Sequence, residues 1–170
     1  MWRDDMRANG GREGFTGALI TWIRDCGFAV ITLHRAAARF RTRGIFGKWV
    51  SILLSRRIAT VYGCYISPLA VIGSGLRLPH PVGIVIGEGV IVGRNVTIFQ
   101  GVTVGVTSAG ELQYPRIGDD VVIYAGAVII GPVVIGQGAS IGANAVVNTD
   151  VPAGCMAVGV PARVISTRDR

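Results

Sequence analysis

The sequence predicts a mainly β fold, a parallel β-helix of hexapeptide repeats preceded by a short N-terminal helical region. Three observations carry it. Large aliphatics recur every sixth position from Ile66 onward, the composition changes near residue 64, and all of the net charge of +7 lies before that change. Residues 1–64 hold eleven of the seventeen Arg and Lys against four acids, whereas residues 65–170 hold six of each. Those 106 C-terminal residues include 20 Val, 13 Ile and 17 Gly, a bias toward extended strands and tight turns that excludes a helical bundle. With half its residues apolar and 170 in all, the chain is neither disordered nor long enough for two large domains.

Residues 1–13 are polar and Gly-containing, and read as a mobile or partner-dependent lead. From Phe15 to about Phe40, Leu19, Ile23, Cys26, Val30 and Leu33 recur at helical spacing, with Arg24, Asp25, Thr32 and Arg35 on the other face. Gly44 suits the left-handed stop of that helix. A second helix is expected over Phe46 to Val61, with Phe46, Val50, Leu53, Ile58 and Val61 as its apolar stripe. Charges at Arg24 and Asp25 interrupt the apolar run too early for a membrane span, and no cleavage signature follows it. Three widely spaced cysteines, Cys26, Cys64 and Cys155, suggest neither a disulfide framework nor a metal or redox pair, and point to reduced thiols in a cytoplasmic protein.

The repeat proper runs through Ile66, Ile72, Leu78, Ile84, Val90, Val96 and Val102, slips by three residues within 107–115, and resumes at Ile117, Ile123, Ile129, Ile135, Ile141 and Val147. Each short strand can bury its aliphatic only against the equivalent strand one coil away, which is the logic of a solenoid. Residues four positions on, such as Ala70, Val82, Ala127, Ala139 and Ala145, are small or thin and read as corners and inward fillers. The domains expected are 1–64, a basic region of two helices; 65–165, the repeat domain; and 166–170, a C-terminal tail.

Three motifs within the repeat, LPHPVGIVIGEGVIVG (78–93), VTIFQGVTVG (96–105) and GVPARVI (159–165), resemble the hexapeptide-repeat acyltransferases, most closely the serine acetyltransferase branch. The resemblance implies a left-handed β-helix with three hexads per coil, roughly 20 Å tall at about 4.8 Å per coil. Left-handedness comes from the resemblance alone, because the general crossover rule favours the other hand. It also implies a homotrimer with active sites at subunit interfaces, acetyl-CoA as cosubstrate and no metal.

On that resemblance His80 is the general base, taking a proton from an acceptor hydroxyl as the oxygen attacks the thioester. A surface or inter-subunit turn histidine is the plainer alternative. Its orienter is open between a backbone carbonyl, Glu88 and the Tyr65 hydroxyl; Glu88 reads equally as a solvated corner. Gly105 takes the position where the family offers a backbone N–H to the oxyanion, and reads also as a corner glycine. The pantetheine arm is expected along Ala125 and Ala143, with Gly126 and Gly142 allowing close approach. Arg163 reads as a clamp on a CoA phosphate or as a tail charge.

The chain also departs from the serine-specific pattern. Tyr65 stands where those enzymes carry an Asp paired with the histidine, Gln113-Tyr114-Pro115 stands for their Arg-His-Pro, and Pro79 for the acid before the histidine. With these charges replaced by neutral groups, and Gln113 and Tyr114 as candidate acceptor contacts, the acceptor is expected to be a sugar or polysaccharide hydroxyl; L-serine is the alternative, and a non-catalytic structural trimer less favoured. The N-terminal region is shorter than in those enzymes, which argues against their hexamer. A zinc carbonic anhydrase on the same architecture would need three clustered histidines, and the repeat domain has one. Arg35, Arg39, Arg41, Arg43, Lys48, Arg56 and Arg57 form a basic block that reads as a solvated face, a contact for acids of a neighbouring subunit, or a peripheral contact with the inner face of the membrane. No nucleic-acid-reading module accompanies it.

Overall fold

A computed structural model describes residues 1–11, 14–108 and 113–165. The middle of the predicted loop, 109–112, and the predicted tail, 166–170, lie outside the described residues. Four helices stand where two were expected: α1 (Trp2–Ala8), α2 (Phe15–Arg24), α3 (Cys26–Arg41) and α4 (Gly44–Tyr62). The break is Asp25, which takes an extended conformation and accepts a hydrogen bond from the Phe28 amide at 2.6 Å, capping α3. The two helices bend there by 108°, so the expected common face dissolves: Val30 is buried, while Leu19, Ile23 and Cys26 are exposed. Among the described residues no single helix is long and apolar enough to cross a membrane.

Residues 1–11 of the N-terminal lead are also ordered, contrary to expectation, because they supply buried contacts. Asp5 and Met6 of α1 are each 1% exposed. Asp5 accepts from Arg35 and from the Gly75 amide, while Arg35 donates onward to the carbonyls of Ile72 and Gly73. Arg35 therefore leaves the free basic block and becomes a bolt between helices and β-helix. The predicted α4 stripe is corrected too. Of Phe46, Leu53, Ile58 and Val61, only Ile58 is buried. The face turned to α3 carries small Gly47 and Ser51, so the helices approach closely and the bulky residues are left outside.

The repeat forms a left-handed parallel β-helix with three sheets. The first holds β1 (Tyr65–Ile66), β3 (Val85–Ile86), β6 (Thr103–Gly105), β9 (Val128–Ile130) and β12 (Val146–Val147). The second holds β2 (Val71–Ile72), β4 (Ile91–Val92), β7 (Arg116–Ile117) and β10 (Val134–Ile135). The third holds β5 (Thr97–Ile98), β8 (Val122–Ile123), β11 (Ser140–Ile141), β13 (Met156–Val158) and an antiparallel return, β14 (Arg163–Ile165).

All thirteen aliphatics of the six-residue series are buried, at 6% exposure or less. Each contributes about 1.5–3 kcal/mol relative to exposure. Val30, Ile31 and Ile58 from the helices join the same cluster and close its first coil. Ala70, Ala127, Ala139 and Ala145 fill the interior as expected, but Val82 is 63% exposed. The register explains it. Ile86 pairs with Val104, eighteen residues on, whereas Ile66 pairs with Ile86, twenty residues on. Two extra residues therefore sit between Leu78 and β3, hidden in the sequence because both Ile84 and Ile86 point inward.

Candidate active site

The two-residue excess pushes the segment 79–83 out of the repeat, and His80 is exposed at its crest. Pro79 and Pro81 flank it, fixing their own φ and confining Leu78 and His80 to extended backbone. The Val82 amide donates to the His80 carbonyl at 2.8 Å, the Gly83 amide to Gly63, and the Gly101 amide to Val82. The imidazole itself is bare: among the described residues no group hydrogen-bonds either ring nitrogen. None of the three predicted orienters reaches it within one chain.

Below His80 runs an edge between the third and first sheets, built from residues in left-handed conformation. Gly63, Gly83, Gly101, Gly126 and Asn144 have φ between 56° and 70°, and each amide from Gly83 onward donates to the preceding turn of this edge. At Gly126, φ is +70° and a Cβ would fall 2.2 Å from the Asn144 Oδ1, so both conformation and space require glycine. Ala125 and Ala143 lie on this edge, Ala125 half-buried and Ala143 exposed. At Gly142 a Cβ would fall 2.7 Å from Val158, so glycine is also required there by packing within the chain. The turn after Val158 bonds back to Val146 through Gly159 and Ala162, and β14 returns Arg163 opposite Val158, exposed near the lower end of the same edge.

The other candidates collect on the next edge, between the first and second sheets. The Tyr114 ring lies across Gly89, and its hydroxyl donates to Glu88 Oε1 at 3.5 Å, a long contact. Gln113 and Tyr114 line one cleft with Arg116, Pro132 and Val134. Gly105 closes β6 above this edge, with its Cα facing open space and its carbonyl accepting from Gly131. Tyr65 belongs to neither group; it lines a groove under α4 with Arg41, Lys48, Ser51 and Pro68.

One chain thus brings His80, Ala125, Gly126, Ala143 and Arg163 to one edge, and Glu88, Gly105, Gln113 and Tyr114 to another. Arg116 was missed in the sequence, where it reads as an ordinary strand residue; in the fold it lines the same cleft as Gln113 and Tyr114. Burial pushes the Cys64 thiol up to about 11, which keeps it protonated and unfit as a nucleophile. Among the described residues no group of His, Cys, Asp or Glu could hold a metal ion.

Comparison with known proteins bears on the same surface. Residues 114–149 match the bacterial transferase hexapeptide family (six repeats). A serine acetyltransferase of Buchnera aphidicola (subsp. Schizaphis graminum) is 46% identical over 118 residues, 68% of this chain and 45% of that protein. One from Helicobacter pylori (strain J99) is 39% identical over 145 residues, 85% of this chain and 83% of that protein. The soybean serine acetyltransferase apoenzyme superposes with a TM-score of 0.86 at 38% identity, covering 96% of this chain and 67% of that one. The soybean enzyme complexed with serine gives 0.86 at 37% identity, covering 96% and 68%. The chain spans less than half the length of the two Buchnera relatives it matches.

Proposed function

Because the chain belongs to the hexapeptide-repeat acyltransferases, in the serine acetyltransferase branch, we propose that it transfers the acetyl group of acetyl-CoA to the hydroxyl of L-serine, with His80 as general base. The observation that carries the proposal is the exposed, proline-flanked His80 standing at the head of an edge that includes the small residues Gly83, Gly101, Gly126 and Ala143. Neutral His80 accepts the serine hydroxyl proton while the oxygen attacks the thioester carbonyl. The tetrahedral intermediate then collapses, the C–S bond breaks, and the imidazolium returns its proton to the departing thiolate, giving O-acetylserine and CoA.

L-serine, the alternative acceptor, is favoured over a sugar hydroxyl in a polysaccharide pathway because the relatives and structures compared are serine acetyltransferases. The neutral Gln113 and Tyr114 that suggested a sugar sit beside charges able to match an amino acid. Glu88 suits the ammonium group and Arg116 the carboxylate. These lie one edge away from His80, so the proposal includes a homotrimer in which one subunit's Glu88–Tyr114 edge meets the His80 edge of its neighbour. The unpaired cysteines accord with a cytoplasmic setting.

The test is thiol release from acetyl-CoA with L-serine, beside a panel of nucleotide sugars and oligosaccharides. Saturable turnover with L-serine, lost by roughly 10²–10⁴-fold in His80→Ala, is the expected result. Turnover confined to a sugar would overturn the acceptor, and full activity in His80→Ala would overturn the base.

A further inference from the structure

The first coil of a β-helix has an open upper edge, because no rung lies above it to pair its outward amides and carbonyls. On the third sheet the top rung is the segment 76–78. Arg77 pairs downward, donating to Val96 at 2.9 Å and accepting from the Ile98 amide at 3.0 Å. Leu76 and Leu78 face the other way, toward the helices. There the Asn9 side chain takes the part of the missing strand. Its Nδ2 donates to the Leu76 carbonyl at 2.9 Å, and its Oδ1 accepts from the Leu78 amide at 3.3 Å. Asn9 is itself held by a bond from Nδ2 to the Asp5 carbonyl at 2.8 Å.

A second contact converges on the same peptide. Gly27, in the first turn of α3, is so close to Leu78 that a Cβ would fall 2.2 Å from its carbonyl oxygen. Leu78 is fully buried and stands two residues before His80. Between them lies Pro79, and after His80 lies Pro81, so little torsional freedom separates the clamped Leu78 peptide from the imidazole. The far side of the loop is pinned independently, by Gly83 on Gly63 at 2.8 Å and Gly101 on Val82 at 2.9 Å.

We propose that Asn9 and Gly27 are positioning residues for His80, so that the N-terminal helices form the seat of the general base through the Leu78 peptide. The proposal rests on the reading of His80 as base. Asn9→Leu keeps the bulk and removes both hydrogen bonds; Gly27→Ala displaces the Leu78 carbonyl by a different route. Each is expected to lower kcat by roughly tenfold to hundredfold, the scale of an ångström-level misplacement, while KM for acetyl-CoA stays within about twofold because Ala125 and Ala143 are untouched.

Two readouts are independent of turnover. Hydrogen exchange at the Leu78 amide should accelerate in Asn9→Leu while amides of β8 to β12 keep their protection, and the His80 ring resonances should shift in both variants. Where Asn9→Leu does not fold, Asn9→Ala and Gly27→Ala carry the same readings. Unchanged exchange at Leu78, or full kcat with Leu78 deprotected, overturns the proposal. Absence of acetyl transfer by the wild-type chain to any hydroxyl would sink the acetyltransferase reading instead, leaving exchange and ring resonances to decide whether Asn9 positions His80.

Discussion

Asp5 and Arg35, thirty residues apart, form a two-pronged ion pair at the junction of α1, α3 and the first coil, with Asp5 1% exposed and the Arg35 Nη2 at 2.8 Å. Each partner also bonds the β-helix backbone, Asp5 at Gly75 and Arg35 at Ile72 and Gly73. Removing one partner leaves an uncompensated charge in a largely buried site, where Asp5 is 1% and Arg35 17% exposed. Asp5→Ala should therefore cost about 3–5 kcal/mol in urea unfolding, and the double change Asp5→Leu with Arg35→Met should cost less than Asp5→Ala alone. A loss under about 1 kcal/mol for the single change would mean that water reaches the pair.

Gly126 should tolerate no side chain. Gly126→Ala meets both the left-handed conformation at φ +70° and the Asn144 carboxamide at 2.2 Å. A loss of about 2 kcal/mol is expected from the backbone alone. The corner it distorts adjoins Ala125, so KM for acetyl-CoA should rise while KM for serine holds. An unchanged KM for acetyl-CoA in a folded variant would remove this edge from the pantetheine path.

Much of the fold was legible because its cause is local and repeated. A buried aliphatic every six residues has one explanation, and the structure buries every member of that series. The helices were less legible for two physical reasons. Asp25 reads as a charge on a helix face until it is seen capping α3, and of the buried α4 residues Gly47, Ser51 and Ile58 only the last is a large aliphatic, which leaves little hydrophobic signature. At the candidate site, His80 was visible through its flanking motif. The clamp of Asn9 on Leu78 was not, since the two are sixty-nine residues apart and only the docked helices bring them together.

Arg116 gives the acceptor site its own test. If its guanidinium receives the serine carboxylate, Arg116→Gln removes a charge-assisted hydrogen bond of about 1.5–3 kcal/mol, which raises KM for serine roughly ten- to hundredfold. The Gln113 and Tyr114 cleft around it stays in place, so KM for acetyl-CoA should not move. Equal change in both constants would assign Arg116 to packing rather than to the acceptor.

His34, the second histidine, makes the fold acid-sensitive. It is 3% exposed, its Nδ1 has no hydrogen-bond partner, and burial, aided by the neighbouring Arg35 charge, lowers its pKa from 6.5 to about 4. Between those two values the unfolded chain holds a proton that the folded chain does not. Stability contributed by the neutral ring is thus fully present above pH 6.5 and falls as the pH drops toward 4, by about 3 kcal/mol over the whole window. Asp119, whose carboxyl is held below the usual range by the Arg94 backbone and side chain, adds its own acid dependence, so the ring is isolated by difference. His34→Leu removes the titrating group and the orphaned nitrogen at similar volume. Relative to its effect at pH 7, the variant should gain about 2 kcal/mol on the wild type at pH 5, read from urea midpoints at the two pH values. Parallel pH profiles for the two chains would mean that His34 accepts a proton in the folded state as readily as in the unfolded one.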